Sequence, residues 1–134
     1  MLYPMFAMVI VTFAVATYLF RLRVKAVKAG EVRLSQLRLN TGEIPDAINQ
    51  AARNYTNLFE VPMLFYTAGA IAIALGIQVP SMVITAWVFV LARCAHSWIH
   101  LTSNNVIHRV RAYMLGNVCV LVIWGILVAS YATR

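Results

Sequence analysis

Residues 2–20 read LYPMFAMVIVTFAVATYLF and contain no charged side chain. A helix that crosses the hydrocarbon core of a membrane needs about 20 mostly apolar residues. The basic cluster Arg21-Leu-Arg23-Val-Lys25 follows this run, whereas the positive charge of a cleaved secretory signal precedes its apolar segment. We therefore expect a first membrane span that the protein retains.

Three further apolar runs predict an all-α integral membrane protein whose spans form a four-transmembrane-helix bundle. Hydrophobic residues make up 62% and charged residues 11% of the chain, against about 25% charged residues in soluble proteins. This composition excludes a disordered chain and argues against an ordinary soluble enzyme. One domain, 1–134, contains the predicted spans 2–21, 56–77, 80–101 and 111–131 and the loops 22–46 and 102–110.

The basic residues lie mainly in the two longer loops, and the formal net charge is +7. The positive-inside rule places both loops in the cytoplasm and both termini outside. Basic charge on so apolar a chain favours anionic lipid or an anionic ligand, and no nucleic-acid partner is expected. Short loops without a targeting extension suggest a bacterial inner-membrane protein.

Local signals predict how the helices begin and end. The first helix continues past the membrane surface towards Gly30, a plausible C-terminal stop. The second begins at Pro45-Asp46, because proline and acidic residues are favoured in a first helical turn. Pro62 lacks a backbone donor and predicts a kink between residues 58 and 62. For residues 32–41, a loop, a short amphipathic helix and a lid all remain open.

Polar side chains recur at helical spacing inside the predicted spans, where ionisable groups are costly and usually face a bundle interior. All lie towards the cytoplasmic ends of their helices, so that they can converge at one depth. The three stripes are Asn49, Arg53, Asn57 and Glu60; Arg93, His96, Ser97, His100 and Asn104; and Arg109 with Tyr113.

Charge counting suggests that these stripes bind an anion. Arginine does not lose its proton on burial, and three of these arginines share one carboxylate, Glu60, with Arg21 at a similar depth. Arginine recognises carboxylates and phosphates through paired hydrogen bonds. In the alternative interpretation, the polar groups satisfy one another and Arg109 extends to lipid phosphates.

Metal binding and hydrolysis receive less support. His96 and His100 are spaced as zinc ligands can be, and His108 or Glu60 could supply a third ligand. The neighbouring arginines repel a cation, so we expect no metal. No nucleophile elbow accompanies Ser97. Cys94 and Cys119 lie in apolar stretches, as small buried hydrophobic residues do.

The polar motifs together resemble those of the MAPEG family, the membrane-associated proteins in eicosanoid and glutathione metabolism. The resemblance covers essentially the whole chain. The motifs that carry it are Arg21-Leu-Arg23-Val-Lys25-Ala26, Arg53-x-x-x-Asn57-x-x-Glu60 with Pro62, Arg93-x-x-His96, and Arg109-x-x-x-Tyr113.

This resemblance implies a homotrimer that binds glutathione, as a co-substrate, between neighbouring subunits near the cytoplasmic side. Glu60 would suit the ammonium group of the peptide, Arg21 would reach in from the first helix, and Arg109 would lie near the thiol. The remaining glutathione-binding candidates are Arg53, Asn57, Arg93, His96, His100 and Tyr113.

The implied activity is that of a membrane glutathione transferase acting on small lipophilic electrophiles that arrive through the bilayer, with hydroperoxide reduction as a possible second reaction. Arg109 is the catalytic candidate, because a cation beside a thiol favours the thiolate. One alternative is a non-catalytic lipid-binding member of the same fold that scaffolds a partner. Another is a small structural or transport protein of a different class.

Overall fold

The computed structural model describes residues 1–39 and 42–133, and all regular structure in that part of the chain is helical. Four helical stretches are long and apolar enough to cross a membrane, and one of them comprises α3 and α4 together. The prediction of an all-helical protein with four candidate spans is therefore confirmed. The helices are α1 (Leu2–Lys28), α2 (Leu34–Leu39), α3 (Asp46–Asn57), α4 (Val61–Ala74), α5 (Pro80–Leu101) and α6 (Val106–Ala132).

The second span is interrupted where the kink was predicted. α3 ends at Asn57, and α4 starts after a break at residues 58–60. Pro62 lies in the first turn of α4, where its missing N–H has no intrahelical partner to lose. In a continuous helix, that N–H would have bonded the carbonyl of Leu58. The proline thus favours two helices rather than one bent helix.

Helix ends elsewhere follow local chemistry. α1 extends to Lys28 and is followed by Gly30 at φ +73°, a left-handed conformation that favours glycine. α3, the helix that was predicted to begin at Pro45-Asp46, begins at Asp46. α6 begins at Val106, before the predicted span at residue 111, because the side chain of Asn105 accepts hydrogen bonds from two backbone amides of the first turn.

The segment for which three conformations remained open contains a short helix. α2 occupies Leu34–Leu39, and the side chain of Leu34 is exposed. Residues 40 and 41, which belong to the same segment, lie outside the described residues, as does Arg134.

The helices pack around a main apolar core, with α5 and α6 sharing the largest interface, and a second apolar cluster joins α1 to α3. α1 contacts α3, α4 and α5, and α4 also contacts α6. The rings of Phe65 and Phe89 meet at the centre of the core with their centroids 4.5 Å apart. Other fully buried core side chains are Met8, Met82 and Ile123.

α4 is attached on both sides. A Cβ at Gly69 would lie 2.5 Å from Sδ of Met5, so the glycine allows the close approach of α1. On the other side, the indole Nε1 of Trp124 donates to the carbonyl of Leu64 at 3.2 Å. The half of the second span beyond the break is thereby fixed against α1 and α6.

Candidate functional site

An open polar groove lies beside the break in the second span. Its volume is about 500 Å³, within the range of about 300–1,000 Å³ that small-molecule sites occupy. It brings together side chains from α3, the break, α5 and α6. The residues that define this polar groove are Asn49, Arg53, Asn57, Glu60, His100 and Arg109.

The charges in the polar groove are unequal. Arg53 and Arg109 supply two guanidinium groups, and Glu60 supplies the only carboxylate among the lining residues. Arg53 and Glu60 are exposed and Arg109 is half-buried, so the first two can reach a ligand without rearrangement of the core. An excess of positive charge in a partly desolvated groove favours an anionic ligand that also carries one positive group.

The guanidinium of Arg109 is held from one side. Its Nη1 donates to Oδ1 of Asn104 at 2.8 Å and lies 3.3 Å from Nε2 of His100. Because arginine can only donate, Nε2 of His100 acts as the acceptor and carries no proton. Asn104 was predicted to continue the stripe on α5, which is wrong: α5 ends at Leu101, and Asn104 lies in the following loop at φ 49°.

His96 lies behind the polar groove and contacts the backbone of α6. It is 3% exposed, and its Nδ1 is 3.0 Å from the carbonyl oxygen of Arg109. A carbonyl can only accept, so Nδ1 must carry the proton. The ring also packs beside that of Tyr113, with centroids 5.8 Å apart. His96 therefore positions the first turn of α6, and neither it nor Tyr113 lines the polar groove.

Successive turns of α3 and α5 are joined by polar contacts that we call the polar seam. In the first, Nε2 of Gln50 donates to the carbonyl of His100. In the second, the hydroxyl of Ser97 donates to Oδ1 of the fully buried Asn54 at 3.2 Å. In the third, Nη2 of Arg93 donates to the carbonyl of Asn57 at 2.8 Å. The polar seam consists of Gln50, Asn54 and Asn57 on α3 and His100, Ser97 and Arg93 on α5.

The sequence analysis missed Gln50 and Asn54. Both residues precede Asn57 at helical spacing, beside the charged stripe that was singled out. Both side chains are neutral amides, so counting charges in the apolar spans does not identify them. A second amide row at a spacing of four and three residues was the signal that could have revealed this interface.

Arg93 does not line the polar groove, although it was predicted to bind the ligand. Its side chain is fully buried, and Nε and Nη1 have no hydrogen-bond partner among the described residues. The guanidinium carbon lies 5.7 Å from the ring centroid of Tyr113, in cation–π geometry.

Arg21 lies apart from the other candidates. It is exposed on α1, beside Phe20 and Lys25 of its own helix, and is not among the residues that line the polar groove. One copy of the chain, in the part that the structure describes, therefore does not bring Arg21 to the other predicted site residues.

A separate apolar cavity of about 260 Å³ opens between α1 and the break. Its walls come from α1 and from residues on both sides of the break in the second span. The residues that define this apolar cavity include Val9, Phe13, Tyr55, Leu58, Phe59 and Met63.

The two histidines of α5 are spaced as zinc ligands can be. The rings of His96 and His100 lie with their centroids 5.8 Å apart. Over residues 1–39 and 42–133, no group of three or more His, Cys, Asp and Glu side chains could hold a metal ion. The nitrogens Nδ1 of His96 and Nε2 of His100 already face groups of Arg109.

Four helical stretches long and apolar enough to cross a membrane, with a polar groove beside the break in the second, define a multi-pass helical membrane protein. The chain belongs to the MAPEG family, whose family model matches residues 1–129. That family is membrane-bound and includes glutathione transferases and related enzymes. A search of the curated proteins and a search of the solved structures each found no match.

Proposed function

We propose that the protein is a membrane-embedded glutathione transferase whose polar groove binds glutathione. The observation that supports this most directly is the set of groups in the polar groove, two guanidiniums and one carboxylate. Glutathione carries two carboxylates and one ammonium. Arg53 suits a carboxylate, Glu60 suits the ammonium, and the side chain of Asn57 can bond the peptide backbone.

Arg109 is proposed as the catalytic residue. An unperturbed thiol has a pKa of about 8.5, and an adjacent cation lowers such a pKa by about 1–3 units. The thiolate then attacks an electrophilic carbon, the S–C bond forms, and the leaving group departs with its electron pair. The thiol proton passes to water. With a hydroperoxide, two glutathione molecules would instead yield an alcohol, water and the glutathione disulfide.

The proposal includes a homotrimer, because Arg21 would complete the site from a neighbouring subunit. Arg21 is exposed on α1, away from the polar groove of its own chain. α1 and α6 present many exposed apolar side chains, and these can face either lipid or another copy. Lipophilic electrophiles would enter from the bilayer between α1 and α6 of adjacent subunits.

The proposed orientation has the polar groove near the cytoplasm of a bacterial inner membrane, with both termini outside. The support is the basic charge of the two longer loops. In this orientation, water-soluble glutathione would reach the groove from the cytoplasm, while the electrophile would arrive through the membrane.

Conjugation of a chromogenic aryl halide by the purified protein tests the activity. We expect glutathione-dependent product formation. Arg53→Gln and Glu60→Gln should each raise the KM for glutathione about tenfold, the usual effect of losing one charge-assisted hydrogen bond. Arg33→Gln, which changes an exposed arginine outside the groove, should leave KM unchanged. Absence of conjugation by the wild-type protein would contradict the proposal.

The second candidate function is non-catalytic lipid binding, and the apolar cavity favours it. A cavity of about 260 Å³ at membrane depth can accept a hydrocarbon chain without any contribution from the polar groove. A lipid-binding scaffold would show no aryl halide conjugation, and its lipid affinity would not change in Arg53→Gln.

A further inference from the structure

We infer that Arg93 is a positioning residue: it caps the C-terminal end of α3 and thereby holds Asn57 and Glu60 at the polar groove. This inference rests on the proposed function, because it assigns a role at the same site. Arg93 itself makes no contact with a ligand in the polar groove, since its side chain is fully buried behind that groove.

The break in the second span creates the need for such a cap. The last carbonyls of a helix have no intrahelical donors, and the C-terminal end carries a partial negative charge. α3 ends at Asn57 inside a candidate membrane span. The guanidinium of Arg93 donates to the carbonyl of Asn57 at 2.8 Å. A cation at this end of a helix is favourable both as a donor and through the helix dipole.

Arg93 is held in place from the opposite side by α6. Its guanidinium lies 5.7 Å from the ring centroid of Tyr113. A Cβ at Gly116 would lie 3.5 Å from Cδ of Arg93, so the arginine stem packs directly on the α6 backbone. Arg93 therefore links the end of α3 to α6, whose first turn carries Arg109.

The side chain of the capped residue and that of a residue three positions later both line the polar groove. Asn57 is the residue that Arg93 bonds, and Glu60 ends the break. If the cap is lost, the break at residues 58–60 has fewer constraints, and both side chains lose their fixed position. The expected result is weaker glutathione binding without removal of any ligand contact.

The experiment compares Arg93→Met, Arg93→Lys and the matched control Arg53→Gln in the full-length protein. Hydrogen exchange of the ligand-free protein is measured over a peptide that contains residues 58–63. The dissociation constant for glutathione is measured by titration. Arg93→Met should accelerate exchange and weaken binding, each about tenfold, as expected for loss of a hydrogen bond to a charged group. Arg93→Lys, which keeps a cationic donor, should recover part of both losses.

Arg53→Gln should weaken glutathione binding and leave ligand-free exchange unchanged, because Arg53 is exposed in the groove. Weaker binding by Arg93→Met with unchanged exchange would overturn the inference and make Arg93 a ligand contact. Unchanged exchange and binding in Arg93→Met would also overturn it. Accelerated exchange in Arg93→Met, together with no glutathione binding by the wild-type protein, would support the cap and overturn the proposed function.

Discussion

Arg93 and Arg109 carry the same charge, but we propose different roles for them because their surroundings differ. Arg93 is fully buried and bonds a helix carbonyl. Arg109 is half-buried, and Nη1 is the one guanidinium nitrogen with a hydrogen bond within the described part of the chain. The remaining donors of Arg109 are thus available to a ligand. Their positions relative to the polar groove, and not their charges, make Arg93 the proposed positioning residue and Arg109 the candidate catalytic residue.

Replacement of Arg109 tests its role at the thiol. We expect Arg109→Ala to reduce the thiolate fraction of bound glutathione at neutral pH by about 8- to 30-fold, since a cation beside a thiol of pKa about 8.5 lowers that pKa by about 1–3 units. The measurement is the thiolate absorbance of the complex at saturating glutathione. Arg111→Ala, which changes an exposed arginine, serves as the control. Full absorbance in Arg109→Ala would assign thiol activation to another group.

The sequence predicted which residue types line the polar groove better than it predicted which individual side chains face it. Spacing placed Arg53, Asn57 and Glu60 on one face of a single predicted helix, and the structure keeps them together in the polar groove although Glu60 lies beyond the end of α3. The same spacing could not decide whether Arg93 faces a ligand or a helix end, because this depends on the position of α3 relative to α5. A helical stripe defines a face of one helix but leaves its neighbour unspecified.

At the scale of secondary structure, hydropathy and proline chemistry predicted most of what is observed. The long apolar runs gave the candidate spans, and Pro62 gave the break between α3 and α4. The polar seam was not predicted, because its contacts pair residues that are far apart in sequence, such as Asn54 and Ser97. Two of its three contacts also use a backbone carbonyl as acceptor, which no side-chain pattern reveals.

Close packing of α1 on α4 predicts different effects at two glycines. In Gly69→Ala the new Cβ would lie 2.5 Å from Sδ of Met5, so the flexible Met5 side chain must shift; after the gain in helix propensity, we expect a loss of about 1 kcal/mol in the free energy of unfolding. In Gly125→Ala nothing lies within 4 Å of the new Cβ, and higher helix propensity should produce no loss.

Unfolding of both variants in a mixed detergent provides the comparison. Equal stability of Gly69→Ala and the wild-type protein would show that α1 can move away from α4 at little cost.

For the whole molecule, the position of Arg21 allows a test of the proposal that each glutathione site is formed by two neighbouring subunits. If Arg21 acts across a subunit interface, Arg21→Ala and Arg109→Ala proteins should each lose most glutathione conjugation when expressed alone. Co-expression should restore part of the activity, because mixed trimers contain interfaces at which one subunit supplies Arg21 and its neighbour supplies Arg109.

Activity is measured on mixed trimers purified through two different affinity tags, with Arg109→Ala carrying both tags as the control. Co-expression without recovery, while each variant remains trimeric, would place Arg21 outside the shared site.

The break at residues 58–60 also divides the second span mechanically. α3 is joined to α5 through the polar seam, whereas α4 is joined to α6 through Trp124 and to α1 at Gly69. The break also stands between two spaces, because Asn57 and Glu60 line the polar groove while Leu58 and Phe59 line the apolar cavity. A substitution in this short stretch therefore changes a wall of one space within two residues of the other.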